Sequence, residues 1–201
     1  MAGMSAIDYL IHLILSVILI VGGYQFYFWC QRNSPVAPRE LRSALDERLP
    51  YWPSWVWIYS FLYYPLIVCV ILVARSPREF THVAMSYLVL LSLQMLFFLA
   101  FPVATPAHWR GYNQRRTLAE RFLALVQKFD ARSNSFPSMH VSVAMLTALH
   151  LAPHTGPMAF AFPVLIAFSC IFTKQHYVID LPAGALLGWG TYRACARFLL
   201  A

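Results

Sequence analysis

Residues 82–101 read HVAMSYLVLLSLQMLFFLAF, a run that contains no Asp, Glu, Lys or Arg. About 20 apolar residues in an α-helix cross the hydrocarbon core of a bilayer, so this run predicts a transmembrane helix. The 201-residue chain as a whole follows the same pattern, with 60% hydrophobic and only 11% charged residues. Because a soluble domain holds about 25% charged residues, the composition excludes a soluble enzyme and indicates an integral membrane protein.

Apolar runs on both sides of this segment predict further helices at 7–30, 54–74, 138–153, 157–173 and 177–200. With 82–101 they predict an all-α membrane protein of six transmembrane helices, folded as one domain over residues 1–201. Six spans place both termini on one side of the membrane and gather the segments 31–53, 102–137 and 174–176 on the other. The first run lacks a basic segment before it, so we interpret it as a retained span and not a signal peptide.

The long loop between helices three and four has a helical pattern of its own. Its apolar positions recur at helical spacing, at Leu118, Phe122, Leu125, Val126 and Phe129. Basic residues lie between them, at Arg115, Arg116, Arg121 and Lys128. This pattern predicts an amphipathic helix in the membrane interface. The aromatic residues of 51–57, together with Trp109 and Tyr112, are expected in the headgroup belt.

Two polar clusters open the later helices. In the first, Pro137 and Ser138 stand at a helix start, where free backbone N–H groups favour an anion, and His140 follows in the first turn. In the second, His176 and Asp180 are spaced i, i+4 and share one helical face. A carboxylate there can accept the Nδ1 proton of the imidazole, which leaves Nε2 with a lone pair for nucleophilic attack.

The six-span topology brings both clusters and Lys174 to one membrane face. Two histidines, a carboxylate, helix-start amides and a cation suit phosphoryl transfer through a phosphohistidine. Asp180 is the one acid expected near the site, which argues against Mg²⁺-dependent chemistry. The cysteines Cys30, Cys69, Cys170 and Cys195 show no metal-ligand spacing and are interpreted as small buried side chains. Gly184 and Gly188 predict close helix packing.

These residues resemble the type-2 phosphatidic acid phosphatase superfamily, whose motifs are KxxxxxxRP, PSGH and SRxxxxxHxxxD. Residues 137–140, PSMH, are similar to the second motif, with Met in place of Gly. Ser169, His176 and Asp180 match the third, although Cys170 stands at its arginine position. No lysine precedes residues 102–110 at the spacing of the first motif. The strings FPSMH and TKQHYVIDLPAG are similar to the branch related to inositol phosphorylceramide synthases.

The resemblance implies that His176 is the nucleophile and that Asp180 orients it, while His140 acts first as general acid and then as general base. It also implies phosphate contacts from Ser138, Lys174 and Arg110. Lys174 follows Cys170 by four residues, so on a continuing helix it would replace the missing arginine. The active-site segments are about 102–140 and 169–188, and neither a metal ion nor a cofactor is implied.

Hydrolysis of a membrane phosphomonoester, or of a prenyl or other lipid pyrophosphate, is the favoured function. A phosphotransferase that moves a phospho-headgroup from a lipid donor to a hydroxyl acceptor would use the same intermediate. A non-catalytic transporter or scaffold, in which the His/Asp pair only ties helices together, is the alternative of another class. The expected partners are a lipid phosphate substrate and the bilayer, without nucleic acid, and the oligomeric state is left open.

The charge distribution and the resemblance disagree about orientation. The net charge is +7, and most of the 15 cations fall on the predicted active face: Arg32, Arg39, Arg42, Arg48, Arg110, Arg115, Arg116, Arg121, Lys128, Arg132 and Lys174. The opposite face holds Arg75, Arg78, Arg193 and Arg197. The positive-inside rule therefore predicts a cytoplasmic active site. The resemblance implies a bacterial inner-membrane protein whose site faces the periplasm, and this is the orientation that we expect.

Overall fold

A computed structural model describes residues 4–41 and 43–199, and over these residues the fold is all-helical. The helices are α1 (Ala6–Arg32), α2 (Ala44–Arg48), α3 (Tyr63–Val73), α4 (Pro77–Ala100), α5 (Leu118–Phe129), α6 (Met139–Thr155), α7 (Ala161–Phe172) and α8 (Asp180–Leu199). Short 3₁₀ turns lie at Pro53–Trp55, Ala107–Tyr112 and Gly156–Phe160, and a π-helical turn at Ile58–Leu62 leads into α3. Arg42, the predicted helix end at residue 200 and the two ends of the predicted domain lie outside the described residues.

The long helices lie where the apolar runs predict them, but four of them start several residues away from the predicted start. The first residues of the runs predicted at 54–74 and 157–173 form 3₁₀ and π-helical turns, so that α3 begins at Tyr63 and α7 at Ala161. α4 begins at Pro77, five residues before the predicted start, because the Ser76 side chain caps it by accepting from the Glu79 amide. α8 begins at Asp180 and not at residue 177, since residues 177–179 form a turn. At α4 a capping side chain, and not hydropathy, therefore determines where the helix begins.

Four stretches of the described chain are long and apolar enough to cross a membrane: Ala6–Arg32, Pro53–Val73, Pro77–Ala100 and Met139–Phe172. The last of them joins α6 and α7 across the turn at Gly156. α8, which combines apolar residues with Asp180, Arg193 and Arg197, is not among them. The protein is therefore an all-helical integral membrane protein, and the count of six spans stays a prediction.

α6 forms the centre of the helix bundle and packs against α3, α4, α7 and α8. Its closest neighbour is α8, and the two glycines of the predicted packing face lie between them. A Cβ at Gly184 would stand 2.5 Å from the Ser138 carbonyl oxygen, and one at Gly188 would stand 2.3 Å from that of Ser142. Because Gly184 and Gly188 have no side chains, α6 and α8, at whose starts the polar clusters lie, can pack closely together.

Three loops meet at one end of this bundle. The Ala104 amide donates to the Arg39 carbonyl over 2.8 Å, and the Ser135 amide donates to the Val103 carbonyl over 3.0 Å. The Trp52 amide donates to Phe172 at the end of α7 over 2.9 Å. The segments that the topology assigns to one face thus contact each other directly.

α5 is helical over the residues predicted for the amphipathic segment. Leu123 is fully buried, and Phe122 stacks on Trp57 with ring centroids 5.2 Å apart. Leu118, Leu125 and Phe129 are 75%, 51% and 65% exposed. One side of α5 thus holds the helix to the bundle while another presents large apolar side chains outward, and its place in the membrane interface stays a prediction.

Candidate active site

His176 is held by acceptors on one side of its ring. Its Nδ1 lies 3.0 Å from the Ser135 carbonyl oxygen and 3.2 Å from Asp180 Oδ2. A carbonyl and a carboxylate can only accept, so Nδ1 carries a proton, and in the neutral imidazole Nε2 then has the lone pair. The i, i+4 pair predicted from the sequence is therefore formed, although His176 itself lies in the turn just before α8.

Asp180 gathers several donors on one carboxylate oxygen. Its Oδ2 accepts from the Tyr177 amide over 2.9 Å and from the Ser135 hydroxyl, in addition to His176. The side chain is fully buried, and Oδ1 has no hydrogen-bond partner within the described residues. These bonds fix the carboxylate and, through it, the plane of the His176 ring.

His140 lies opposite His176, with the two ring centroids 5.8 Å apart. Its Nδ1 is 3.3 Å from the Tyr59 hydroxyl, and its ring packs on Tyr59 and Tyr63. His140 and His176 are 36 positions apart in the sequence, and the structure brings the two polar clusters that contain them into one site.

Backbone contacts join the two helix starts that carry the histidines. The Ser138 amide donates to the Asp180 carbonyl oxygen over 3.0 Å, and Gly184 lets the backbone of α8 approach Ser138. The Ser138 hydroxyl caps α6 by accepting from the Val141 amide. Ser138 thus has a structural contact already, and the predicted phosphate contact would come in addition to it.

The expectation that α7 continues through Lys174 is wrong. α7 ends at Phe172, the Gln175 amide donates to the Cys170 carbonyl, and the Lys174 amide donates to Ile171. Lys174 itself has a φ of 56°. This is a Schellman motif with lysine at the left-handed position, so Lys174 leaves the helical face of Cys170.

The Lys174 ammonium is engaged by other groups. It donates to the Asp46 carbonyl oxygen over 2.6 Å and lies 5.1 Å from the centre of the Trp109 ring. Burial lowers the pKa of this lysine below its ordinary value, against the opposite effect of the Glu47 and Asp46 carboxylates. Asp46 Oδ1 also accepts from the Val178 amide over 2.8 Å, so α2 holds the turn around His176.

The Trp109 side chain is buried inside the protein and is not exposed to lipid headgroups, which corrects the sequence-based expectation. It is only 2% exposed and packs on Tyr177 with ring centroids 5.2 Å apart. Its Nε1 donates to Glu47 over 3.1 Å. Burial alone would raise the pKa of Glu47, but hydrogen bonds from His108 and Trp109 outweigh it and lower that pKa below its ordinary value. Trp109 is thus part of the packing beneath the His176 turn.

Arg110 is paired at the edge of the site. Its Nη2 donates to the Asp130 carbonyl oxygen over 2.6 Å and to Asp130 Oδ2 over 3.2 Å. Asp130 in turn lines a cavity of about 200 Å³ that reaches His140 and Gln175. Arg110 therefore contacts a residue that lines this cavity, namely Asp130. Lys174 is not among the residues that line it.

A family comparison agrees with this arrangement. The model of the PAP2 superfamily matches residues 47–194, well over half of the chain. The chain belongs to the PAP2 superfamily. Membership indicates phosphatase or phosphotransferase chemistry in a membrane protein. Neither the curated proteins nor the solved structures gave a match.

The matched residues of the PAP2 superfamily begin after α1, yet α1 forms part of a second cavity. This apolar cavity of about 270 Å³ lies between α1, α3 and α4. It has four wall residues in common with the cavity beside His140: Tyr24, Tyr63, Tyr64 and Met139. The hydroxyls of Tyr24 and Tyr64 are hydrogen-bonded to each other across this shared wall. An apolar chamber therefore adjoins the polar site.

Sequence reasoning missed three contributors to the site. Ser135 contacts both His176 and Asp180, Tyr59 contacts His140, and Asp46 holds the turn around His176. Ser135 had a signal, because it ends a polar run directly before the PSMH string. Tyr59 lies in an apolar stretch of the sequence and Asp46 in a charged one, and neither stretch marks its residue as part of a site.

Proposed function

We propose that this protein is a metal-independent lipid phosphate phosphatase that works through a phosphohistidine at His176. The proposal rests on the surroundings of the His176 ring. Its Nδ1 is bound by Asp180 and by the Ser135 carbonyl, and the imidazole of His140 lies opposite it. An imidazole in this tautomer has a nucleophilic Nε2, and the carboxylate stabilises the positive charge that develops on attack.

In the first step His176 Nε2 attacks phosphorus, and His140 protonates the leaving lipid oxygen. In the second step His140 takes a proton from water, the hydroxide attacks the phosphohistidine, and inorganic phosphate leaves His176 restored. Tyr59, at His140 Nδ1, orients the acid–base imidazole. The two histidines thus alternate roles without a metal ion or another cofactor.

The start of α6 at Met139 supplies a place for the phosphate oxygens. The first N–H groups of a helix have no partner within the helix, and its dipole favours an anion there. Ser138 lies at this position, and we propose that it contributes to the phosphate site. Lys174 and Arg110 would have to leave Asp46 and Asp130 respectively to reach a phosphate, so their predicted contacts require rearrangement.

The two adjoining cavities support a lipid substrate. A phosphate beside His140 would place an attached hydrocarbon chain toward the shared wall of Tyr24, Tyr63, Tyr64 and Met139. The chamber beyond that wall is lined largely by aliphatic and aromatic side chains, which suits an acyl or prenyl chain. The substrate class is therefore a membrane phosphomonoester or a prenyl or other lipid pyrophosphate.

Transfer to a hydroxyl acceptor is the second candidate function. Arg110, Arg115, Arg121 and Lys128 line a cavity of about 480 Å³ beside α5, which suits the headgroup of an anionic lipid donor or acceptor. Transfer would also fit the sequence similarity to the inositol phosphorylceramide synthase branch. Thin-layer chromatography of the products from several lipid phosphates, with and without hydroxyl acceptors, separates hydrolysis from transfer.

Replacing the catalytic residues tests the proposed function. His176→Ala and Asp180→Ala should abolish phosphate release from lipid phosphates while the variants remain folded in detergent. His154→Ala, an exposed histidine at the far end of α6, is the matched control and should retain the native rate. Vanadate, which mimics five-coordinate phosphorus, should inhibit, whereas EDTA should not. Native activity in His176→Ala and Asp180→Ala would refute the proposed roles of these two residues, whereas a native protein that releases no phosphate would favour a non-catalytic transporter or scaffold.

We place the protein in the bacterial inner membrane with six spans and a periplasmic site. Four of the cations that oppose this orientation, Arg110, Arg115, Arg121 and Lys128, line the cavity beside α5, and we propose that they serve an anionic lipid headgroup there. Cysteines introduced at exposed Gln114, beside the site, and at exposed Met158, at the opposite end of the bundle, test it. Periplasmic labelling of Gln114→Cys alone supports this orientation, and labelling of Met158→Cys alone reverses it.

A further inference from the structure

The Cys170 thiol lies close to both histidines of the site. One ring nitrogen of His140, the Cys170 Sγ and one ring nitrogen of His176 all lie within 4.8 Å of one another. Cys170 is fully buried and His176 is nearly so. The residue at the arginine position of the family motif therefore contributes a thiol to the same small volume as the two imidazoles.

Two imidazoles and a thiolate form the donor set that a borderline-soft divalent cation such as Zn²⁺ prefers. Ligand atoms around tetrahedral zinc stand about 3.5 Å apart, so side-chain rotations of about an ångström would close the site. His176 already has the outer contact typical of a zinc ligand, because its Nδ1 is bound by a carboxylate.

We propose that His140, Cys170 and His176 form a site for Zn²⁺ or a similar thiophilic divalent cation, and that its occupation inhibits the enzyme. Cys170 would bind as a thiolate and release its proton to the solvent. The cation would engage the lone pair that His176 needs for attack. The inhibition rests on the proposed function, whereas the binding does not.

The cavity beside His140 reaches one member of this cluster. His140 lines that cavity together with Asp130 and Gln175, so a cation that enters it would reach the His140 imidazole. Three protein ligands leave a coordination position of zinc for water or a phosphate oxygen. A product phosphate could therefore bind together with the cation.

Direct binding to the purified protein tests the site without any catalytic assay. Co²⁺ added to the native protein should produce a thiolate-to-cobalt charge-transfer band, and equimolar Zn²⁺ should remove it. Cys170→Ser and Cys170→Ala should lack the band, while Cys69→Ser, a cysteine of α3 outside the cluster, should retain it. Native protein without the band, or a band that persists in both Cys170 variants, overturns the proposal.

Inhibition forms the second arm of the experiment. Zn²⁺ should lower phosphate release by the native enzyme and by Cys69→Ser, and EDTA should restore it. Loss of even an outer hydrogen-bond partner of a metal ligand costs about 10- to 100-fold in affinity, so loss of the thiolate in Cys170→Ser should raise the half-inhibitory concentration by at least about 10-fold, measured against the zinc-free rate of that variant. The inhibitory role is overturned if Cys69→Ser and Cys170→Ser have the same half-inhibitory Zn²⁺ concentration, or if Zn²⁺ stimulates phosphate release. A cobalt band without phosphatase activity in any preparation would retain the metal site and refute the proposed function.

Discussion

Replacing Gly188 with alanine tests whether the contact between α6 and α8 sets the geometry of the site. The added methyl carbon would stand 2.3 Å from the Ser142 carbonyl oxygen and 3.1 Å from its carbon. Ordinary contacts begin at 3.4 Å, so the backbones must separate by about 1.1 Å, and neither atom belongs to a flexible side chain. The histidines attached to the two helix starts should move apart by a similar amount.

A displacement of about 1 Å at a catalytic site can lower the rate about 100-fold, so we expect that loss in kcat for Gly188→Ala. Overpacking should also lower the free energy of unfolding by about 1–3 kcal/mol. Gly184→Ala, whose Cβ would stand 2.5 Å from the Ser138 carbonyl oxygen, should behave similarly. Phosphate release per folded protein and the thermal midpoint in detergent measure the two effects.

Gly190→Ala is the matched control, because it makes the same change in the same helix with no heavy atom within 4 Å of the new Cβ. It should keep the native rate and raise the stability by about 0.5–1 kcal/mol through reduced chain entropy. A Gly188→Ala variant with the kcat and thermal midpoint of Gly190→Ala would refute the reasoning, since the helices would then tolerate the methyl group without separating.

Three further changes address the surroundings of the site. Tyr59→Phe removes the hydroxyl at His140 Nδ1, so kcat should fall about tenfold at unchanged KM in steady-state kinetics, and a change in KM alone would contradict this role. Ala84→Phe fills part of the apolar cavity and should raise KM for a long-chain lipid phosphate but not for a short-chain one; equal effects would refute a chain-binding cavity. The lowered pKa of Glu47 stabilises the fold above about pH 4.5, and this stabilisation is lost as the pH falls through the folded pKa. Thermal midpoints of native protein and Glu47→Gln should therefore converge in acid, and a constant difference between them would contradict it.

Local patterns were sufficient to predict the helices and the contact between His176 and Asp180. An apolar run long enough to span the bilayer predicts a helix wherever it lies, and four residues of separation suffice to bring His176 to Asp180, although His176 lies just before α8. The glycines at 184 and 188 likewise predict close packing, because a missing side chain is a property of the sequence itself. Each of these features depends on neighbours within a few positions.

The contact that the Lys174 side chain makes could not be predicted from local sequence. The spacing of this residue from Cys170 places it on the helical face only if α7 continues, and the chain instead turns into the left-handed conformation at Lys174. The ammonium then contacts Asp46, which lies 128 positions earlier in the chain. A contact over that distance in sequence depends on how the loops assemble at the end of the bundle.

By itself, the sequence determined the membrane class, the long helices, the His176–Asp180 pair and the resemblance that the family match confirms. The tertiary structure alone decided that Ser135 and Tyr59 contact the two histidines, that Cys170 lies close to both, and that Lys174 binds Asp46. The physical reason is range: hydropathy and helical periodicity act between near neighbours, whereas the partners in the site lie on separate helices and loops. Those partners meet only after α6 and α8 have packed together.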